Sequence, residues 1–136
     1  MDIAKSCHHG SDDFTIDFLR ALNPVATVIS SGDDEPYAHP RPDTLGTIGK
    51  NSRGERPLIF STELARSGKE FVELSSTPST EEKKERVVTV YGMINVRTDG
   101  EKVVIAQKLE RASGKNDWDI HKLEWNNTKQ EFEYIK

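Results

Sequence analysis

The chain has 136 residues, with 19 Lys and Arg against 23 Asp and Glu and a formal net charge of −4. That length suits about one domain with its own core, and the small negative charge offers no long-range attraction to nucleic acid or an anionic membrane. A single cysteine, Cys7, excludes an internal disulfide framework and suits a reducing compartment.

The composition, 34% hydrophobic and 31% charged, is polar for a globular domain. No apolar run approaches the roughly 20 residues of a membrane span. The segment Met1-Asp2-Ile3-Ala4-Lys5 is too short and too polar for a secretory signal. The expectation is a cytoplasmic protein with no membrane partner.

In chain order, Ile3 and Ala4 close a short strand that runs into the turn His8-His9-Gly10. Phe14, Phe18, Leu19 and Leu22 then fall at helical spacing. Ser11, Asp12 or Asp13 caps that helix, and Asn23-Pro24 stops it because proline lacks an amide hydrogen and restricts its predecessor. Residues 25–30, Val-Ala-Thr-Val-Ile-Ser, read as a buried β-branched strand. A polar loop over 31–36 follows and delivers His39-Pro40 just past the strand's carboxyl end, where α/β folds commonly place their sites. Asp43 caps a second short helix through Leu45 and Ile48, weakened by Gly46 and Gly49. Leu58-Ile59-Phe60 is a further strand.

Residues 75–86 are rich in Ser, Thr and Pro and then charged, which predicts a polar loop or insertion. Beyond it the pattern is β. Residues 87–97 and 102–109 pair around Thr98-Asp99-Gly100, a second turn lies at 113–116, and 118–125 and 131–135 form a hairpin around Asn126-Asn127. The expected organisation is an α/β part over 1–74, the loop or insertion over 75–86, and a β-hairpin region over 87–136 completing the same domain. The class is α/β grading into α+β, without internal repeats.

Three of the four histidines, His8, His9 and His39, sit in the two turn-rich segments Cys7-His8-His9-Gly10-Ser11 and Tyr37-Ala38-His39-Pro40. Imidazole is the commonest protein ligand for transition metals and titrates nearest neutral pH. Turns allow several rings to aim at one point. Paired histidines in a turn are also common plain surface residues, so spacing alone does not decide between the two.

Four segments taken in order carry more information: His8-His9-Gly10-Ser11, then 18–24 as Phe-Leu-Arg-Ala-Leu-Asn-Pro, then 28–32 as Val-Ile-Ser-Ser-Gly, then Tyr37-Ala38-His39-Pro40. This series resembles the metallo-β-lactamase superfamily, and most of all the branch that forms the soluble domain of ComEC-type DNA-uptake proteins. The likeness covers residues 3 to 45, about a third of the chain. Ala38 stands where that branch usually has glycine, and Arg97-Thr98-Asp99-Gly100 is a weaker match to its closing strands.

The resemblance implies the C-terminal half of an αββα sandwich that carries zinc or manganese at one edge of its sheets. It implies His9 and His39 as metal ligands, His8 and His9 as catalytic residues, and Ser11 in contact with substrate. It also implies a phosphodiesterase or nuclease-like activity, with nucleic acid suggested by the resemblance only. The family's HxHxDH run is absent from these 136 residues, and Gly32-Asp33 follows the His-His-Gly-Ser turn instead of preceding it. The expectation is therefore a truncated or split hydrolase, inactive until a separate chain or a further segment supplies the N-terminal half. The alternative is a non-catalytic binding or structural module that associates, with a second copy or a partner, through an exposed sheet face.

Other residues take plainer roles. Asp12 and Asp13 read as capping residues, and Asp33, Asp34 and Glu35 as a solvated loop. No base and acid are arranged around Ser11 or Ser31, so neither reads as a nucleophile. Cys7 reads as a small buried neighbour of the histidines, His121 as a residue on one face of its strand, and the run 81–86 as a solvated charged stretch.

Overall fold

A computed structural model describes residues 1–32, 38–62, 69–73, 83–87, 90–113 and 116–135. The elements are β1 (Ile3–Lys5), α1 (Ile16–Leu22), β2 (Ala26–Ile29), α2 (Pro42–Asn51), β3 (Leu58–Ser61), β4 (Lys69–Glu73), β5 (Lys83–Val87), β6 (Val90–Thr98), β7 (Lys102–Ser113), β8 (Asn116–Asn126) and β9 (Glu131–Ile135). Strands β1-β2-β3 form a parallel sheet, β4-β5 an antiparallel pair, and β6-β7-β8-β9 an antiparallel sheet in sequence order. The class is α+β.

The parallel sheet is covered on both faces, in keeping with the mostly apolar strands β2 and β3. Ala26, Leu58 and Phe60 turn one way and join Val103, Ile105 and Leu123 of the antiparallel sheet in one buried cluster. Ile59 points the other way, its Cδ1 3.9 Å from where a Cβ on Gly49 of α2 would stand. The result is a helix layer, a parallel sheet and an antiparallel sheet stacked in that order. Two cross-links fix the sheets to each other: the Gln107 side-chain amide donates to the Ser61 carbonyl, and the Gly92 N–H donates to the Thr62 carbonyl at 3.2 Å.

Arg53, just past α2, is a further tie. Its guanidinium donates to the carbonyls of Met1, Asn23 and Phe132, pairs with Asp2, and lies 3.6 Å from Glu131. It thereby joins β1, the end of α1 and β9 at one point. The β6–β7 turn follows its chemistry. Asp99 accepts from the backbone N–H groups of Lys102 (2.7 Å) and Glu101 (3.0 Å), and these bonds hold its carboxyl below the usual carboxylate range.

Several expectations need correction. The first helix is capped by Thr15, whose hydroxyl accepts from the Phe18 N–H at 3.2 Å, and not by Ser11, Asp12 or Asp13. The Ser11 hydroxyl is instead taken by the Asp13 N–H. Phe14 lies outside the helix, and α1 has no buried residue, with Ile16 and Phe18 about half exposed. The second helix has Arg41 at its cap and Pro42 in its first turn, with Asp43 inside it.

Within the loop expected over 75–86, residues 83–86 belong to β5, and 75–82 lie outside the described residues. Most of the expected loop over 31–36, and Tyr37, lie outside them too. Among the described residues no helix is long and apolar enough to cross a membrane.

Candidate functional site

In a parallel sheet all carboxyl ends lie along one edge, so the segments leaving β1, β2 and β3 meet there. The segment leaving β1 turns at once. His8, His9 and Gly10 take positive φ values of 50°, 56° and 85° in succession, closed by Gly10 N–H to Cys7 O (3.1 Å) and Ser11 N–H to His8 O (3.0 Å). Two of the three are not glycine, an uncommon conformation that surrounding contacts must hold.

Those contacts come from the segment leaving β2. A Cβ on Gly10 would stand 2.7 Å from Pro40 Cβ and 3.2 Å from Ile29 Cγ2, so only glycine fits between the two turns. The Arg41 N–H donates to the Gly10 carbonyl at 2.9 Å, and the buried Thr44 hydroxyl donates to the Ser11 carbonyl at 2.8 Å. The His39-Pro40 peptide is cis. Packing Pro40 onto Gly10 brings the His39 ring beside that of His8, with centroids 6.3 Å apart and planes inclined by 50°.

His9 is oriented by the strand end. Its Nδ1 lies 2.7 Å from the Ser30 carbonyl oxygen, and since a carbonyl only accepts, Nδ1 donates. In the neutral ring Nε2 then carries the lone pair, the tautomer that a metal-ligating imidazole needs. The residue is exposed, as are His8 and Cys7. Cys7 is therefore not the buried neighbour the sequence suggested.

The third strand contributes hydroxyls. The Ser31 N–H donates to Thr62 Oγ1 at 2.9 Å, Thr62 Oγ1 donates back to the Ser31 carbonyl, and the Ser31 and Ser61 hydroxyls lie 3.2 Å apart. Sequence reading missed Ser30, Ser61 and Thr62. The available signal was the Ser-Ser and Ser-Thr pairs that directly follow two apolar strands.

The structure thus brings His8, His9 and His39 to one edge. Ser11 lies beneath it, buried, with its hydroxyl accepting from Asp13 N–H at 3.1 Å. Asp12 and Asp43 flank Arg41, each at 3.9 Å. His121 stands apart between the sheets, its ring against Phe60 and Tyr134 and its Nε2 3.0 Å from Asp119.

The donor set was tested against the ions that the resemblance implies. Two imidazoles on one tetrahedral zinc, with Zn–N of about 2.0–2.1 Å, hold their ring centres about 5 Å apart. The His8 and His39 rings, of which the resemblance assigns only His39 to the ion, are wider than that by about 1 Å. Among the described residues no group of three or more His, Cys, Asp or Glu is placed to hold an ion. Nε2 of His9 suits a metal, but the described residues do not close a coordination shell around it. Compared with models of protein families, with curated proteins and with solved structures, the chain matches none.

Proposed function

We propose that the edge carrying His8, His9 and His39 is half of a hydrolase site of the metallo-β-lactamase kind. The remaining ligands would come from a further segment or a separate chain. The observation that supports this most is the 2.7 Å bond from His9 Nδ1 to the Ser30 carbonyl, which in the neutral ring turns the Nε2 lone pair outward at the carboxyl edge of a parallel sheet. His9 and His39 are the proposed metal ligands. His8, beside His39, is placed to steady negative charge developing on a substrate when protonated. Ser11 supports the turn from below, and any contact with substrate would run through its neighbours. A zinc or manganese ion would supply a water whose pKa falls toward neutrality. The substrate class proposed is a phosphodiester, nucleic acid included, on the strength of the resemblance alone.

Equilibrium dialysis against Zn²⁺ and against Mn²⁺ tests the reading on the chain itself, with His9→Ala and His39→Ala as controls. A half-site retains Zn²⁺ weakly, and each substitution lowers retention several-fold while the thermal melt holds. Equal retention by wild type and both variants would sink the proposal.

A further inference from the structure

We infer that the outer face of the β6–β9 sheet is a docking trough for a partner's amphipathic helix with acidic flanks. The inner face of this sheet is fixed by Val103, Ile105, Leu123, Phe132 and Tyr134, which pack on the parallel sheet. Their neighbours along each strand point away from it.

The cross-strand register then places the outward side chains in rows. Arg97 of β6, Val104 of β7, Lys122 of β8 and Ile135 of β9 share one row, and Asn95, Ala106 and Ile120 share the next. Along β7 the outward residues Val104 and Ala106 are small and make a floor. The flanking strands raise Arg97 and Asn95 on one side, and Lys122 and Ile120 on the other. Ile120 is 54% exposed and Ile135 40%.

Shape and charge together favour one occupant. Strands β6 and β8 lie two strand spacings apart, about 9.6 Å, close to the 10–12 Å width of a helix. A helix along β7 would seat its apolar stripe on Val104, Ala106 and Ile120, with Arg97 and Lys122 beside its two flanks. Lys102 and Lys108 are already matched, by Glu124 at 3.7 Å and Asp117 at 3.1 Å. Arg97 and Lys122 have no carboxylate partner among the described residues. Two cations with no carboxylate partner among the described residues, set beside an apolar floor, select acidic flanks. Lys102 and Lys108 close the two ends of this floor, and the strand between them runs about 20 Å, or about 13 residues of helix. This surface lies outside the histidine edge and does not depend on how that edge functions.

The test uses the full chain and two synthetic helical peptides of about 15 residues. They share one leucine stripe and carry either Glu or Lys on both flanks, with binding read by fluorescence anisotropy. The Glu peptide should bind, weaken steeply with salt, and lose about tenfold or more in affinity on Arg97→Glu with Lys122→Glu; the Lys peptide should not bind. Both positions are exposed, and an unchanged melting curve confirms that the double variant folds.

No binding of the Glu peptide, or equal binding of both peptides, overturns the proposal. So does a concentration-dependent dimer in light scattering that Ile120→Lys abolishes, which would assign the face to a second copy. Tighter binding of a single-stranded oligonucleotide, lost in the same double variant, would assign it to nucleic acid and overturn the proposal equally.

Discussion

Replacing Gly10 with alanine tests the contact on which the histidine edge depends. Gly10 has φ +85°, where an L-residue pays about 1–2 kcal/mol. The new methyl group would also stand 2.7 Å from Pro40 Cβ, 3.1 Å from Pro40 Cα and 3.2 Å from Ile29 Cγ2. Ile29 is wholly buried and cannot swing aside, so overpacking adds about 1–3 kcal/mol. The expected loss is about 3 kcal/mol, or about 10 °C in Tm for a domain of this size. Urea titration with Tm measured in parallel reads it. Gly46 is the matched control, a helical glycine with nothing within 4 Å of its would-be Cβ; alanine there should stabilise by about 0.5–1 kcal/mol. Since the clash is mainly with the Pro40 side chain, adding Pro40→Gly should return part of the loss, a coupling of about 1 kcal/mol. A Gly10→Ala protein within about 1 kcal/mol of wild type, or strict additivity with Pro40→Gly, would refute the reasoning.

Arg53→Met removes a side chain that is 13% exposed and strips donors from three carbonyls and from Asp2. A loss of about 3 kcal/mol is expected in urea titration, at the low end for a buried pair because Asp2 can rehydrate. Thr44→Val leaves the Ser11 carbonyl without the donor it has in the core, and should cost about 1–2 kcal/mol by the same measurement. Lys129 holds the Glu133 carboxyl below its ordinary 4.5, with help from Asn126, and Glu133 holds Lys129 above its ordinary 10.5. Glu133 thus contributes stability above pH 4.5 that is lost as the pH falls through its lowered pKa, and Lys129 contributes below 10.5 and loses it as the pH rises. Tm profiles of wild type and Glu133→Gln should differ between those limits and converge in acid. In hydrogen exchange, amides of α1 and β1 should open well before those of β2, β7 and β8, because α1 buries no residue and β1 is a three-residue strand paired on one side among the described residues.

How much of this was legible in the sequence varied with the range of the interaction. Strand β2 could be read because a run of β-branched residues buried on both faces has one interpretation, and the β6–β7 turn because Thr98-Asp99-Gly100 carries its own turn chemistry. The α1 cap could not, since three polar residues precede Thr15 and the choice depends on what else holds Ser11. The answer lies 33 residues away, in the hydroxyl of Thr44. That the two histidine turns approach each other followed from their position at the ends of adjacent elements. That His9 is aimed by the Ser30 carbonyl did not, because a ring orientation depends on backbone placement that no spacing encodes. The roles of Arg53, Gln107 and His121 were equally hidden, since their partners lie 30 to 79 residues away, 46 away, and across two sheets.

The two sides of the histidine edge are held with unequal strength, and this bears on how a half-site would respond to a ligand. His39 lies between β2, whose Ile29 is wholly buried, and α2, whose Thr44 and Ile48 are buried. His8 and His9 ride on the three-residue β1 and the exposed turn after it, tied to the α2 side by the Arg41 N–H to Gly10 and the Thr44 hydroxyl to Ser11, and α1 beyond them holds no buried residue. A metal ion that engaged His9 and His39 would link the looser element to the firmer one. Its stabilising effect would concentrate in β1 and α1 while β7 and β8 changed little, because binding energy appears where the free protein opens most readily. An ion held only by adventitious surface groups has no reason to protect those two elements together. The distribution of protection on adding Zn²⁺, more than its size, therefore separates a genuine half-site from incidental binding.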